Sequence, residues 1–141
     1  MKTRRVFALT ILGLIVVLSG CGGGSAATEI DAALKEFSFT PNAWEIAAGE
    51  TITINLENQG AVDHEWVLLK PGVTIDSEAD LPATEEELLA DFVYWEDEVE
   101  PGDSKSLTFV APAAGEYQII CAIESHFDAG MKGTLTVVDG S

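Results

Sequence analysis

Eleven residues near the end of this chain constrain its fold and chemistry more than any others. They read Cys121-Ala122-Ile123-Glu124-Ser125-His126-Phe127-Asp128-Ala129-Gly130-Met131, a C-x4-H-x4-M run. Beyond residue 21 this run holds the only thiol, the only thioether and one of only two imidazoles. The other imidazole, His64, lies far upstream in Asp63-His64-Glu65-Trp66-Val67-Leu68. Alternation puts Cys121 on one strand face with Tyr117 and Ile119, and His64 on another with Trp66 and Leu68. Both are expected to point inward, with the loop after Cys121 carrying His126 and Met131 back over the sulfur. Two imidazoles, a thiolate and a soft thioether form the donor set of a mononuclear copper electron-transfer site. An isolated histidine is ordinarily surface or core, and Met131 alone would read as packing. It is their placement around the sole thiol that gives them weight. A Cys/His2 set also suits zinc, although methionine is foreign to structural zinc sites.

The rest of the chain is mostly period two. Phe37 and Phe39 alternate, as do Ile52, Ile54 and Leu56, then Leu107, Phe109 and Ala111, then Leu135 and Val137. Turn signals fall between these runs at Pro41-Asn42, Ala48-Gly49, Gln59-Gly60, Pro71-Gly72, Pro101-Gly102 and Ala114-Gly115. Half-buried antiparallel strands in an all-β, two-sheet sandwich account for the pattern. One acidic segment breaks the rhythm. Thr84 followed by Glu87 is a capping box, which predicts a short helix from about Glu85 to Asp91 that folds over the sandwich as a flap and buries Leu88, Leu89 and Phe92. Trp44, Trp66 and Trp95 read as packing rather than as electron relays.

Residues 1–20 have the form of a targeting segment: Lys2, Arg4 and Arg5, then an apolar stretch from Val6 to Leu18 that is short for a spanning helix. The stretch ends in Leu18-Ser19-Gly20-Cys21, which resembles the lipobox of bacterial lipoproteins and implies lipidation of Cys21. Residues 21–30 then read as a glycine-rich tether and residues 31–141 as one domain. This organisation predicts an extracytoplasmic, membrane-anchored lipoprotein, with Cys121 left without a disulfide partner in an oxidising compartment. Without residues 1–20, four lysines face 24 acidic side chains, a net charge of −20. That charge excludes nucleic acid and bare anionic lipid as partners and suits a basic protein surface.

At these residues the chain resembles the cupredoxin family, in the manner of auracyanins and azurins. Ala48 to Ile52 and His64 to Leu68 resemble the family's first-ligand region, and Gly115 to Tyr117 with Met131 to Leu135 its copper-loop hairpin. The resemblance covers roughly residues 35–70 and 102–138. It implies a Greek-key sandwich and one copper ion, with His64, Cys121 and His126 as equatorial ligands and Met131 as the weak axial one. Two departures stand out. Glu65 occupies the position after the first histidine, where the family often has Asn, and Glu124-Ser125 replaces a usual Pro-Gly. Asp63, Glu65 and Ser125 are the candidates for outer contacts to the ligands. The resemblance also implies an apolar ring around His126, here Ala61, Val62, Ile123, Phe127 and Ala129, through which electrons pass.

The resulting expectation is a monomeric copper carrier of single electrons, serving membrane redox complexes or c-type cytochromes, and not an enzyme. Its rivals are a copper storage or delivery module, a catalytic red-copper variant with an open metal position, and a zinc-binding or metal-free sandwich.

Overall fold

The computed structural model describes residues 26–140. The proposed signal segment, Cys21 and most of the tether lie outside them. Nine strands are present: Glu29–Lys35 (β1), Ser38–Thr40 (β2), Ala43–Ala47 (β3), Thr51–Asn58 (β4), His64–Leu69 (β5), Val93–Val99 (β6), Ser104–Val110 (β7), Gly115–Ile120 (β8) and Lys132–Val138 (β9). They form two sheets, in the order β2-β1-β4-β7 and β3-β9-β8-β5-β6.

Both sheets are mixed, not antiparallel throughout. β1 pairs parallel with β4, and β3 pairs parallel with β9. Period-two patterning specifies which face is buried but not strand direction. After β2 the chain crosses to the other sheet as β3 before β4 returns beside β1. The domain also starts earlier than residue 31: β1 begins at Glu29, Ile30 is buried, and Ala27 bridges to Ile46.

The main core lies between the sheets. Ile52, Ile54 and Leu56 of β4 face Trp66 and Leu68 of β5, Ile119 of β8 and Leu135 and Val137 of β9. Trp66 is fully buried, with ring centroids of Trp44, Trp95 and Phe109 at 5.7, 5.8 and 6.1 Å. Edge-on and tilted rings at this spacing add to the area they bury.

β5 is apolar on both faces because the five-stranded sheet is covered on both. Residues 70–92 fold over its outer side. There Val67, Leu69, Ile120 and Phe127 pack with Ile75 and Val93 in a second cluster. Gln118 fastens this flap, donating from Nε2 to the Ile75 carbonyl (3.0 Å) and accepting from the Ile75 N–H (2.9 Å). Thr84 caps the expected helix by accepting from the Glu87 N–H at 3.2 Å. The helix is shorter than expected, a single turn over Glu85–Glu87 that widens into a π-turn over Leu88–Phe92. Leu88 and Phe92, four apart, share its inward face, and Leu89 is left exposed. Phe37 also departs from the alternation. It sits in the β1–β2 turn at φ +59° and is exposed.

β9 is seated tightly at its start. A Cβ on Gly133 would lie 2.6 Å from the Asn42 carbonyl oxygen and 3.0 Å from the Trp44 ring. Gly133→Ala is expected to destabilise the domain by about 1–3 kcal/mol, read as a lower urea midpoint for the metal-free protein.

Candidate metal centre

His64 opens β5, and the preceding loop is clamped by Asn58. Its Nδ2 donates to the Val62 carbonyl (2.8 Å) and the Val99 carbonyl (2.7 Å), and its Oδ1 accepts from the Gly60 N–H (2.9 Å). Asn58 is 1% exposed, so each of these bonds replaces one that water would supply. Sequence reasoning did not single it out. Its signal was a polar side chain on the inward phase of Ile52, Ile54 and Leu56.

Cys121 follows β8, and the loop behind it closes on itself. The Cys121 N–H donates to the Met131 carbonyl (3.1 Å), the Met131 N–H to His126 (3.0 Å) and the His126 N–H to Ile123 (3.0 Å). Ser125 makes the tight bend at φ +71°, and its carbonyl accepts from the Ala129 N–H at 3.2 Å. The loop is bonded to the flap as well, since the Glu78 N–H donates to Asp128 Oδ1 at 3.0 Å.

This scaffold brings His64, Cys121 and His126 together. One donor atom from each lies within 4.8 Å of the others, and all three residues are buried. His126 Nδ1 is 3.3 Å from Cys121 Sγ and 3.3 Å from His64 Nδ1. Met131 is fully buried at the end of the same loop. Facing lone pairs of two imidazoles beside a thiol are poorly matched without a cation, and nitrogen with sulfur is the donor chemistry of copper.

The electrostatics agree. Burial pushes the Cys121 thiol up to about 11, against the lowering effect of the Glu65 and Ile123 N–H groups. The sulfur accepts from the Glu65 N–H at 3.4 Å. Burial and then the His126 ring lower the His64 pKa, while Glu36 and Asp63 raise it. A metal entering this site therefore meets a neutral imidazole at His64 and displaces a thiol proton.

The outer candidates divide. Glu65 reaches across to the copper-loop strand, where its Oε2 accepts from the Ala122 N–H at 3.2 Å, not from Ser125. Asp63 is exposed and acts on His64 through its charge. Ser125 contributes its backbone bend. The expected apolar ring needs one correction. Phe127 is 1% exposed and packs beneath the flap, so it cannot offer a docking face. In its place Phe37 stands edge-on to His126, centroids 5.2 Å apart, in the turn that the alternation misread. Ala61, Val62 and Ala129 are exposed and Ile123 is half-buried.

A family profile described as a cupredoxin-like domain matches residues 8–137. The chain belongs to the cupredoxin family. Copper is the cofactor of this cupredoxin, and the donor set described above fits one ion. Auracyanin-A of Chloroflexus aurantiacus is 29% identical over 96% of this chain and 98% of its own. A solved structure of reduced auracyanin from Roseiflexus castenholzii superposes with a TM-score of 0.66 at 28% identity, covering 81% of this chain and 99% of that one. The copper-resistant cuproprotein CopI of Pseudomonas aeruginosa is 27% identical over 79% of this chain and 77% of its own.

Burial, then the neighbouring Glu96, raises the Glu65 carboxyl from 4.5 to about 7. Between those two values the folded cupredoxin holds a proton that the unfolded chain has released, so its stability falls as pH rises through the interval. Glu65→Gln is expected to stabilise the metal-free protein above pH 7 by about 1–2 kcal/mol, less than the full shift implies because solvent screens a half-buried carboxylate. The gain should vanish near pH 4.5, measured by urea unfolding across that range.

Proposed function

We propose that this cupredoxin carries single electrons on one copper ion held by His64, Cys121, His126 and, axially, Met131. The observation that carries this reading is the convergence of three buried donor atoms within 4.8 Å at the end of a closed loop. Copper supplies the one-electron couple. The chain's part is to hold the donors still, so that little rearrangement accompanies a change of charge. His64 and Cys121 are anchored at strand ends, and the Cys121–Met131 backbone bond closes the loop at its base.

His126 is the route outward. It is 7% exposed and rimmed by Phe37, Val62, Ala61 and Ala129, a small apolar face suited to brief docking. Partners of this kind are c-type cytochromes and membrane redox complexes, with the acidic surface favouring a basic face. In this reading the protein is a monomer, held outside the cytoplasm by lipid on Cys21, and an electron carrier rather than an enzyme. No helix among the described residues is long and apolar enough to cross a membrane.

Loading with one equivalent of Cu(II) is expected to give an intense blue thiolate charge-transfer band and a reversible one-electron wave. Cys121→Ser should remain folded and colourless. A colourless, correctly folded wild-type protein with copper bound would end the reading. The likeness to CopI favours a second one, copper sequestration. Rapid transfer of copper to a competing chelator, with sluggish electron exchange, would support sequestration. Slow release with fast exchange supports the carrier.

The docking face has its own test. Phe37→Lys and Val62→Lys are each expected to slow electron exchange with a small cytochrome about tenfold or more at high salt, where long-range charge is screened. Stopped-flow rates that match wild type in both variants would remove the face from the route.

A further inference from the structure

The β1–β2 turn lies over both imidazoles. Its Phe37 meets the His126 ring, and the residue before it, Glu36, reaches towards His64. The Glu36 carboxylate is held by the Ala61 N–H, donated to Oε1. Nothing in the sequence pattern marked it, because it is an exposed acid in a chain full of them.

His64 is fully buried, and its Nε2 has no hydrogen-bond partner among the described residues. Its surroundings are nonetheless polar. A Cβ placed on Gly60 would lie 2.8 Å from His64 Nε2, 3.0 Å from Glu36 Oε1 and 3.2 Å from Asn58 Oδ1. The backbone at Gly60 thus runs between the ring nitrogen and two acceptor oxygens, an approach that only glycine allows. A lone pair on Nε2 would face two oxygens and be repelled. A hydrogen on Nε2 would face the same oxygens and be attracted. On the opposite side of the ring, Nδ1 points at His126 Nδ1. Since a neutral imidazole carries one hydrogen, placing it on Nε2 leaves Nδ1 as the acceptor.

We propose that Glu36 is a positioning residue for His64: its carboxylate, with Asn58 Oδ1, keeps the ring proton on Nε2 and so presents the Nδ1 lone pair to the metal. Among the acids that act on the His64 charge, Glu36 weighs ahead of the sequence neighbour Asp63. The same negative charge beside Nε2–H favours the more positive oxidised site. Glu36 therefore also lowers the reduction potential.

The proposal rests on the copper reading for its purpose, but its first test needs no copper. In 15N NMR spectra of the metal-free protein, recorded where His64 is uncharged, the wild-type ring should carry its hydrogen on Nε2. Glu36→Gln keeps an acceptor for Ala61 and removes the charge, and Glu36→Ala removes both. Each should raise the share of the Nδ1–H form, Ala more than Gln. In the copper-loaded protein Glu36→Gln should shift the potential upward, and by more than Asp63→Asn. A wild-type His64 protonated on Nδ1, or a tautomer balance unchanged in both Glu36 variants, overturns the proposal whatever the potential does. A correct tautomer response with no blue band would instead leave the positioning role standing and remove the copper reading.

Discussion

The burial of one sulfur sets the terms for the rest of this molecule. Cys121 is fully enclosed, and burial holds its thiol up near 11, so an anion can persist there only beside a cation. A single N–H, that of Glu65, points at the sulfur. One weak hydrogen bond does not offset the desolvation of a thiolate. Two imidazoles converge on the same point instead, and they too lack enough hydrogen for every contact they make. The site is stable as a protein structure when protonated and neutral, and as a charged cluster only when a metal completes it. Its dependence on the scaffold follows. The donors come from two separated segments, and the sandwich must bring them within a few ångströms without help from the ion.

The flap answers a second constraint. β5 and β8 must be covered on both sides, because Val67, Leu69 and Ile120 face away from the main core. Residues 70–92 provide that cover while carrying many acidic side chains at their outer surface. The same segment is tied to the copper loop at both of its ends. Gln118 holds it to the strand that leads into Cys121, and Asp128, between His126 and Met131, accepts from its Glu78 N–H. An insertion that looks from composition like a solvated loop is therefore part of the loop's support. Phe127 joins the two layers, which is why a residue flanking His126 is buried rather than presented.

Much of this was legible in the sequence, for reasons that can be stated residue by residue. Strand faces followed from alternation at Ile52, Ile54, Leu56, Tyr117, Ile119 and Cys121, since a period of two leaves only one consistent way to bury them. Thr84 and Glu87 marked a helix start because their side chains satisfy free N–H groups locally. What escaped notice depends on tertiary contact. Val93–Val99 became a strand by pairing with β5 despite its acidic side chains. Phe37 left the alternation because a turn at positive φ placed it on His126. Strand direction was invisible, as the parallel pairing of β1 with β4 arises only once the chain has crossed between sheets. Glu36 and Asn58 act through loops that the one-dimensional pattern cannot bring together.

The two imidazoles, chemically alike, are held in unlike surroundings. His64 is sealed, its far nitrogen enclosed by Gly60, Glu36 and Asn58, and its loop is locked to both sheets through the Asn58 bonds. His126 sits on the free loop, 7% exposed, with an apolar ring edge rather than a carboxylate beside it. Charge near the sealed ring biases the site without obstructing approach, whereas charge at the open ring would have to be desolvated by every partner that docks. Placing the acid at His64 and the phenyl ring at His126 separates the setting of the metal's potential from the traffic through it. Both assignments come from one turn, where consecutive residues project to different ligands. The β1–β2 turn therefore couples the two tasks mechanically, and a shift in its backbone would move the electrostatic bias and the docking face together.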